Sequence, residues 1–552
     1  MNIFKNKILY IVILTMIVGG LLRFSDITKN PVSLNIDEVA YGYNAYSILK
    51  TGKDEYGVRF PLVFKSVGDY KPPVGVYLAV PSIAIFGLNE FGIRFPAAFL
   101  ATLAIGLYFI VFKTLVKNEK FALAGAILLA VSPWDIYYSR YATTEIISST
   151  IFAIFGLYSY FRMKTGSLWW SFIAGISFGL SMYAYHAERL FIPVFLLFLS
   201  LQNYKEYFSL NKKNILFTGT LIIFILPLVT STLFGPDKSR FQATFITNDV
   251  NFIRQVAVET VSDLPSSLQT AKNFANENLL IFFYWARKYL AYFQPSFLFY
   301  NGLNMTHADS LNLGVLYLFE LPFLLFGVLT LVKQKIPNKR IILGWLLLGI
   351  LPASLTVNEQ HAGRTYLVMP FLQLVCGIGM ISSYQFLKQN ASKYKVILTI
   401  FAVVVVWNLL YALITFTAIF PNEKGEDFME GTKQTVEYAL AHKSEYQEIV
   451  FDPTRGVEGP YIVSIPHMYI LFYSQFDPQT YQSIPKRYGK DLYGFDKFTI
   501  RKIDWTADKD KKGTLFVGSP WSIPEKELKN GEILEKVYLT NGRLAFLIVS
   551  PK

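Results

Sequence analysis

The sequence predicts a mostly α-helical, polytopic membrane protein with a small α/β domain toward its C-terminal end. Three observations carry that prediction. Of the 552 residues 53% are hydrophobic and only 16% charged, whereas about 25% of the residues of a soluble domain are charged. Windows of about 20 apolar residues, long enough to cross hydrocarbon ~30 Å thick, recur along the chain. After about residue 420 the pattern turns to short β-rich runs separated by Gly, Pro, Asn and Asp.

The first window, MNIFKNKILYIVILTMIVGGLLRF, has a basic start and an apolar core with no small-residue cleavage site, so it reads as an uncleaved first span. With it, candidate spans fall near residues 7–24, 93–114, 121–139, 144–161, 168–185, 189–204, 214–234, 313–332, 340–357, 364–386 and 395–419, about eleven in all. Alternating them from a cytoplasmic N-terminus places Lys5/Lys7, Lys113/Lys117/Lys120, Arg162/Lys164, Lys205/Lys212/Lys213, Lys333/Lys335/Lys339/Arg340 and Lys388/Lys393/Lys395 on one side, as the positive-inside rule requires. The segment Val74–Asn89 is apolar but short and interrupted by Pro81. Counting it as a span inverts every later loop, so a re-entrant or juxtamembrane helix is expected there.

This topology gives the outer side a long first loop (25–92), short turns near 135–145 and 183–189, a loop from 235 to 312, the turn 357–364 and everything from about 420 onward. The expected division is a membrane domain over residues 1–420, with the chemistry in its 25–92 loop, and a soluble extracytoplasmic α/β domain over 421–552. In the latter EYQEIVFD, YIVSIPHMYILFYSQFD, DKFTIRKIDW and GTLFVGSP read as β-rich runs, and YLTNGRLAFLIV reads as an Asn-Gly hairpin.

Several function classes drop out. The net charge of +13 resides in short clusters between apolar runs rather than on one face of a soluble domain, so it marks topology and not a nucleic-acid partner. The single cysteine, Cys376, lies in the apolar run LVMPFLQLVCGIGM, which leaves neither a disulfide framework nor a thiolate metal site. Walker A, H-E-x-x-H, G-x-S-x-G and dinucleotide-binding glycine motifs are absent.

Charges kept near membrane spans are costly, which makes them functional candidates. In SLNIDEVAYGYNAYSILK, Asp37 and Glu38 stand just beyond the first span. A helix there puts Asp37, Tyr41 and Asn44 on one face, and an acidic first turn behind an Asn35 or Ser33 cap accounts for the same residues structurally. In GDYKPPVGVYL, Asp69 and Lys71 precede a Pro pair; Lys71 is either a snorkelling lysine or a point charge for a phosphate. SPWDIYYSRYATTE carries Arg140, able to pair with Asp135 or Glu145 or to meet a lipid phosphate. YAYHAER supplies His186 and NEQHAGRTYLVMP supplies His361 and Arg364. Repeated Arg or His with aromatics in outer turns points to an anionic ligand at the outer face.

Taken in order, the Asp-Glu pair, DEYGVRFP, YKPPVGVYL, FGLNEFGIRFPAA, SPWDIYYSR and HAGRTYLVMP resemble the bacterial branch of the protein O-mannosyltransferase and aminoarabinose transferase superfamily, glycosyltransferases of the C-type membrane fold (GT-C) that use polyprenyl-phosphate sugars. The resemblance covers about residues 1–420. It implies Asp37 as general base on an acceptor hydroxyl, Glu38 orienting the acceptor or tuning Asp37, and Lys71 on the donor phosphate. Arg140, His361 and Arg364 follow on the donor phosphate by loop and residue type, and Tyr41, Asn44, Asp69 and His186 as acceptor or sugar contacts. The family carries an acid directly before the lysine, where this chain has Tyr70 and, one place earlier, Asp69.

The implied reaction is inverting transfer from a polyprenyl-phosphate-linked sugar to a hydroxyl of a protein, lipid or glycan at the outer face of the cell membrane. A phosphate monoester leaving group needs no metal cofactor, although Asp37 and Glu38 are able to hold Mg²⁺ or Mn²⁺. The competing expectation is a transporter or flippase of a polyprenyl-linked or other amphipathic anion, which normally shows paired repeats and broken spans.

Overall fold

The computed structural model describes residues 2–552 apart from 67–68, 142, 203–208, 210, 236–245, 247–253, 255–276, 304–311, 358–359, 391 and 485–492. The expected loop 235–312 therefore lies mostly outside the described residues, as does Lys205. The chain forms two compact units. One comprises Met1–Arg23, Phe99–Ser139 and Thr143–Ala412; the other comprises Phe24–Ala98, Arg140–Ala142 and Leu413–Lys552.

All eleven windows carry helices. In chain order, with the helices outside the windows included, these are α1 (Asn2–Phe24), α2 (Ile36–Thr51), α3 (Pro73–Phe86), α4 (Glu90–Val116), α5 (Glu119–Ala130), α6 (Pro133–Ser139), α7 (Thr144–Thr165), α8 (Trp169–Ala184), α9 (Glu188–Gln202), α10 (Lys212–Phe234), α11 (Glu277–Ala291), α12 (Leu321–Lys333), α13 (Lys339–Ser354), α14 (Ala362–Thr365), α15 (Met369–Asn390) and α16 (Tyr394–Ile414). Among the described residues six helices are long and apolar enough to cross a membrane, and α5 with α6, bent by 51°, makes a seventh. The windows of α8, α9, α12 and α13 hold helices of only 13–16 residues. Helices packed against protein need not present a full hydrocarbon length to lipid.

In the first unit α5, α12 and α15 pack through small residues. A Cβ on Gly377 would stand 2.3 Å from the Gly125 amide nitrogen, so the backbones of α15 and α5 meet there with no room for a side chain. Trp345 of α13 is fully buried, stacked on Phe371 at 4.7 Å and donating its indole N–H to the Leu367 carbonyl at 2.9 Å. By contrast α16 keeps Ile400, Val403 and Trp407 at least 60% exposed, the surface that lipid covers.

The second unit is built mainly from two stretches far apart in sequence, Phe24–Ala98 and Leu413–Lys552, joined by Arg140–Ala142. Its C-terminal part holds α17 (Thr432–Ala441), α18 (Pro466–Tyr473), α19 (Pro478–Ser483) and a six-stranded sheet. The strands are β3 (Glu448–Phe451), β6 (Tyr493–Phe495), β7 (Phe498–Ile500), β8 (Thr514–Gly518), β9 (Ile533–Tyr538) and β10 (Leu544–Val549), in the order β6-β7-β3-β8-β10-β9. Parallel β3 lies between β7 and β8, and the β9/β10 hairpin closes through Asn541-Gly542, with Gly542 at φ +79°. Alternation sorts the side chains: Ile449, Phe451, Leu515, Val517 and Ile548 enter one core, and Val450, Phe516, Leu547 and Val549 the other.

The first of those cores also contains Leu34, Val39, Tyr41, Tyr43, Val76 and Ile93 from the first loop and its flanks. The C-terminal region is thus not set apart at residue 421 as the composition suggests; it shares a hydrophobic core with the 25–92 loop. The run YIVSIPHMYILFYSQFD also differs from its β-rich reading. Only Ile462–Val463 is a strand, β5, paired with β4 (Thr454–Arg455), and Pro466 opens α18. Met468 to Phe472 are all fully buried. An apolar run buried on every side has no period to distinguish helix from strand.

Candidate active site

The site grows from the start of α2. Asn35, in extended conformation, accepts the Glu38 amide on its side chain at 2.9 Å, and a Glu38 carboxylate oxygen accepts the Asn35 amide at 2.8 Å. This reciprocal capping box starts the helix, and it makes Asn35 rather than Ser33 the cap. At the other end Gly52, at φ +69°, takes the left-handed turn that a side chain would strain.

Glu38 has a second task. Arg94 of α4, fully buried, donates from Nε to Glu38 Oε1 at 2.7 Å and from Nη2 to Oε2 at 3.3 Å. The remaining guanidinium bonds go to the carbonyls of Ile27 at 2.8 Å, Pro31 at 2.9 Å and Ser33 at 2.5 Å. Arg94 therefore ties the entry of the loop, the first turn of α2 and the start of α4 into one knot. Glu38, 1% exposed, is held inside it.

Asp37 differs in every respect. Its side chain is 54% exposed, and it accepts Lys71 Nζ on Oδ1 at 2.9 Å. Lys71 ends β2 (Asp69–Lys71), which pairs antiparallel with β1 (Phe64–Ser66) so that Phe64 faces Lys71. Pro72 and Pro73 then fix the backbone into α3. The lysine side chain is 14% exposed and stands at the end of this short hairpin against the Asp37 carboxylate.

Arg140 joins the same unit. It donates to the Ser25 hydroxyl at 3.3 Å, to the Ser25 carbonyl and to the Asn30 carbonyl at 3.2 Å. Burial, then repulsion from Arg94, pulls its pKa down to about 10, partly opposed by Asp26; it stays cationic at neutral pH. Asp135, its suggested partner, is instead engaged by Arg23 and the Tyr366 hydroxyl inside the first unit. Arg94 and Arg140 thus place two guanidinium charges close to one another at the base of the loop that carries Asp37.

The other expected residues fall elsewhere. Tyr41 and Asn44 share the face of Asp37 but are 3% and 2% exposed. The Asn44 amide is spent on the Ala40 carbonyl at 2.9 Å, on Glu55 Oε1 at 3.2 Å and on the Glu55 amide at 3.1 Å, which fastens the DEYG turn to the helix. They build the site's support and are not presented to an acceptor. The Asp69 side chain lies outside the described residues. His186, His361 and Arg364 belong to the first unit. His186 sits half-buried in the turn between α8 and α9. His361 gives its backbone N–H to the Tyr292 hydroxyl at 3.2 Å and accepts the Thr365 hydroxyl on its carbonyl at 3.4 Å, and burial with Arg364 nearby pushes its imidazole pKa down to about 4. Arg364 donates to the Thr356 hydroxyl at 2.6 Å, and Lys288 to the Thr356 and Val357 carbonyls at 2.6 and 2.8 Å.

Sequence reasoning missed Arg94. Its motif FGLNEFGIRFPAA was noticed, but nothing local signals that this arginine returns to a carboxylate 56 positions earlier. An arginine early in a membrane helix is itself a signal, since such a charge must find a partner. Among the described residues no group of three or more His, Cys, Asp or Glu side chains is placed to hold a metal ion.

Comparison with known proteins bears on the fold. Residues 70–230 match the family model described as dolichyl-phosphate-mannose-protein mannosyltransferase. No curated protein matches the sequence. Among solved structures, ArnT from Cupriavidus metallidurans in the apo state superposes with a TM-score of 0.53 at 12% identity, covering 100% of both chains. The same protein bound to undecaprenyl phosphate gives a TM-score of 0.52 at 12% identity, covering 99% of this chain and 100% of that one.

Proposed function

We propose that the chain, which shares the fold of ArnT and matches the dolichyl-phosphate-mannose-protein mannosyltransferase model over residues 70–230, is a membrane glycosyltransferase that transfers a single hexosyl or pentosyl unit from a polyprenyl-phosphate donor to an acceptor hydroxyl, with Asp37 as the general base and Lys71 on the donor phosphate. The observation that carries this reading is the 2.9 Å pair between a half-exposed Asp37 and a largely buried Lys71. A base and a cation for the leaving group stand side by side on adjoining elements.

The steps follow from that pair. The donor phosphate draws the Lys71 ammonium, which releases one oxygen of Asp37. The acceptor hydroxyl attacks the anomeric carbon from the face opposite the phosphate and loses its proton to Asp37. The new C–O bond forms as the anomeric carbon–phosphate oxygen bond breaks, and the electron pair leaves on polyprenyl phosphate, whose charge Lys71 stabilises. The configuration at the anomeric carbon inverts. Arg140 and Arg94 keep the potential around the phosphate positive, and Glu38 fixes Asp37 through the backbone. No step needs a metal ion.

Undecaprenyl phosphate in the related ArnT structure supports a polyprenyl phosphate as the product released. The reaction lies on the outer side, with the N-terminus cytoplasmic, because that orientation keeps the basic connections inside. The acceptor is a hydroxyl of a protein, lipid or glycan.

Purified protein given a radiolabelled polyprenyl-phosphate sugar should release polyprenyl phosphate or pass label to an acceptor, and Asp37→Asn should abolish this. Full turnover in Asp37→Asn would remove Asp37 as base. Movement of intact donor across liposomes without turnover would replace the enzyme by a transporter, and loss of activity with a chelator, restored by Mg²⁺ or Mn²⁺, would bring a metal into the step.

A further inference from the structure

The β4/β5 hairpin of the second unit presents a surface that takes no part in the proposed chemistry. Its strands pair so that Arg455 faces Ile462 and Thr454 faces Val463. Alternation sends Ile462 against the core shared with the first loop and leaves Tyr461 and Val463 outward, 57% and 68% exposed. Trp521, from the turn after β8, is 55% exposed as well.

Both rings are fixed by their polar edges. Trp521 gives its indole N–H to the Gly456 carbonyl at 2.9 Å, and the Tyr461 hydroxyl donates to Glu426 Oε2 at 2.5 Å. The other oxygen of Glu426 accepts the Val457 amide at 2.6 Å. Gly456 touches both rings: its carbonyl holds the indole, and a Cβ on it would stand 2.8 Å from the Tyr461 ring. On the buried side Arg455 donates to the Thr432 hydroxyl at 2.9 Å and the Glu430 carbonyl at 2.8 Å, with its guanidinium 4.6 Å from the centre of the Phe546 ring. The hydrogens of the indole and the phenol are thus spent inside the protein, and each ring offers its face outward. In the turn of the same hairpin Glu458 accepts Arg543 Nη1 at 3.2 Å, the two side chains 74% and 54% exposed.

Size and charge narrow the ligand. A fully buried aromatic side chain contributes about 150–250 Å², so at these exposures the two rings offer roughly 300 Å² at most, against about 800 Å² per partner in a stable protein complex. The single carboxylate balances the single guanidinium, which favours neither an anionic headgroup nor a cationic chain. A neutral pyranose matches on both counts. One of its faces carries C–H bonds that pack on the negative face of an aromatic ring, and its rim hydroxyls take a carboxylate acceptor and a guanidinium donor. Rings already held in place cost little further ordering on binding. We propose that Trp521 and Tyr461 form a stacking platform for the neutral pyranose units of a glycan chain, with Glu458 and Arg543 on its hydroxyls, and, resting on the transferase reading above, that this glycan is the acceptor.

The full chain in detergent, applied to an array of neutral pyranose oligosaccharides, tests this. Wild type should retain at least one series of them, and Trp521→Ala/Tyr461→Ala should bind it roughly tenfold more weakly. Trp521→Phe/Tyr461→Phe, which keeps both faces and gives up both polar edges, should hold most of the affinity and guards against misfolding as the cause of the alanine result. Retention of no oligosaccharide by wild type, equal binding by the alanine variant or equal loss in the phenylalanine variant overturns the platform. So does retention of a proline-rich peptide in place of any sugar. Label passing from a polyprenyl-phosphate sugar to the retained oligosaccharide supports its role as acceptor. Polyprenyl phosphate released with no label on that sugar overturns the acceptor role while the transferase reading stands; no release at all is the failure of the transferase reading, and the acceptor role falls with it.

Discussion

Asp37 and Glu38 are consecutive, carry the same charge and live in different environments. Glu38 has both oxygens engaged by Arg94 and the Asn35 amide, whereas Asp37 stands half in solvent against Lys71. Substitutions should therefore separate. Asp37→Asn removes a pair whose carboxylate is half exposed, worth about 0–1 kcal/mol, so its melting temperature should stay close to wild type while kcat falls roughly 10²–10⁴-fold. Arg94→Ala strands a buried carboxylate and should cost about 3–5 kcal/mol, read as an early thermal transition. Arg94→Lys keeps the charge but loses the fork, so it should melt between the two. Unchanged melting in Arg94→Ala would show that the knot is not what holds the loop. Asp37 and Lys71 were legible because motif and position coincide; Arg94 was not, because its meaning lies in a contact that only the fold creates.

At the level of elements, α2 owes its position to α18. A Cβ on Gly42 would stand 2.4 Å from the Phe472 ring, Tyr469 donates to the Leu34 carbonyl at 2.7 Å, and Gln482 of α19 donates to Ser47, Thr51 and the Asp54 carbonyl. Gly42→Leu should overpack this crossing by about 1–3 kcal/mol and lower turnover with no change to a charged group. Thermal melting and initial rates of one preparation check it; wild-type values for both would mean that α2 is placed by other contacts. The start of α14 makes a pH prediction. His361 has its pKa lowered to about 4 from 6.5, so between these values the unfolded chain binds the proton and the folded chain does not. Stability is full above about pH 6.5 and falls as pH drops toward 4, by about 2 kcal/mol at pH 5. His361→Gln should flatten that slope, and an identical pH dependence in the variant would exonerate the imidazole. The helix α2 was legible down to its cap, because capping chemistry is local. The helix α18 was not, since complete burial erases the pattern that sequence reading uses.

Across the whole molecule, the eleven apolar windows foretold the helices because a bilayer imposes one long, readable constraint on each of them. The division at about residue 420 was less informative. A change in composition marks where the solvent changes, not which segments share a core, and here residues 34–93 and 429–548 share one. A chain truncated after residue 420 should therefore lose donor turnover even though every residue of the proposed chemistry remains. A 1–420 fragment that still released polyprenyl phosphate would contradict this. The discontinuity also bears on how the protein is made. The loop that carries Asp37 leaves the ribosome early, and residues 99–412 must follow before its core partners exist. During that interval the segment that carries Asp37 and Lys71 lacks the core contacts that residues 429–548 supply.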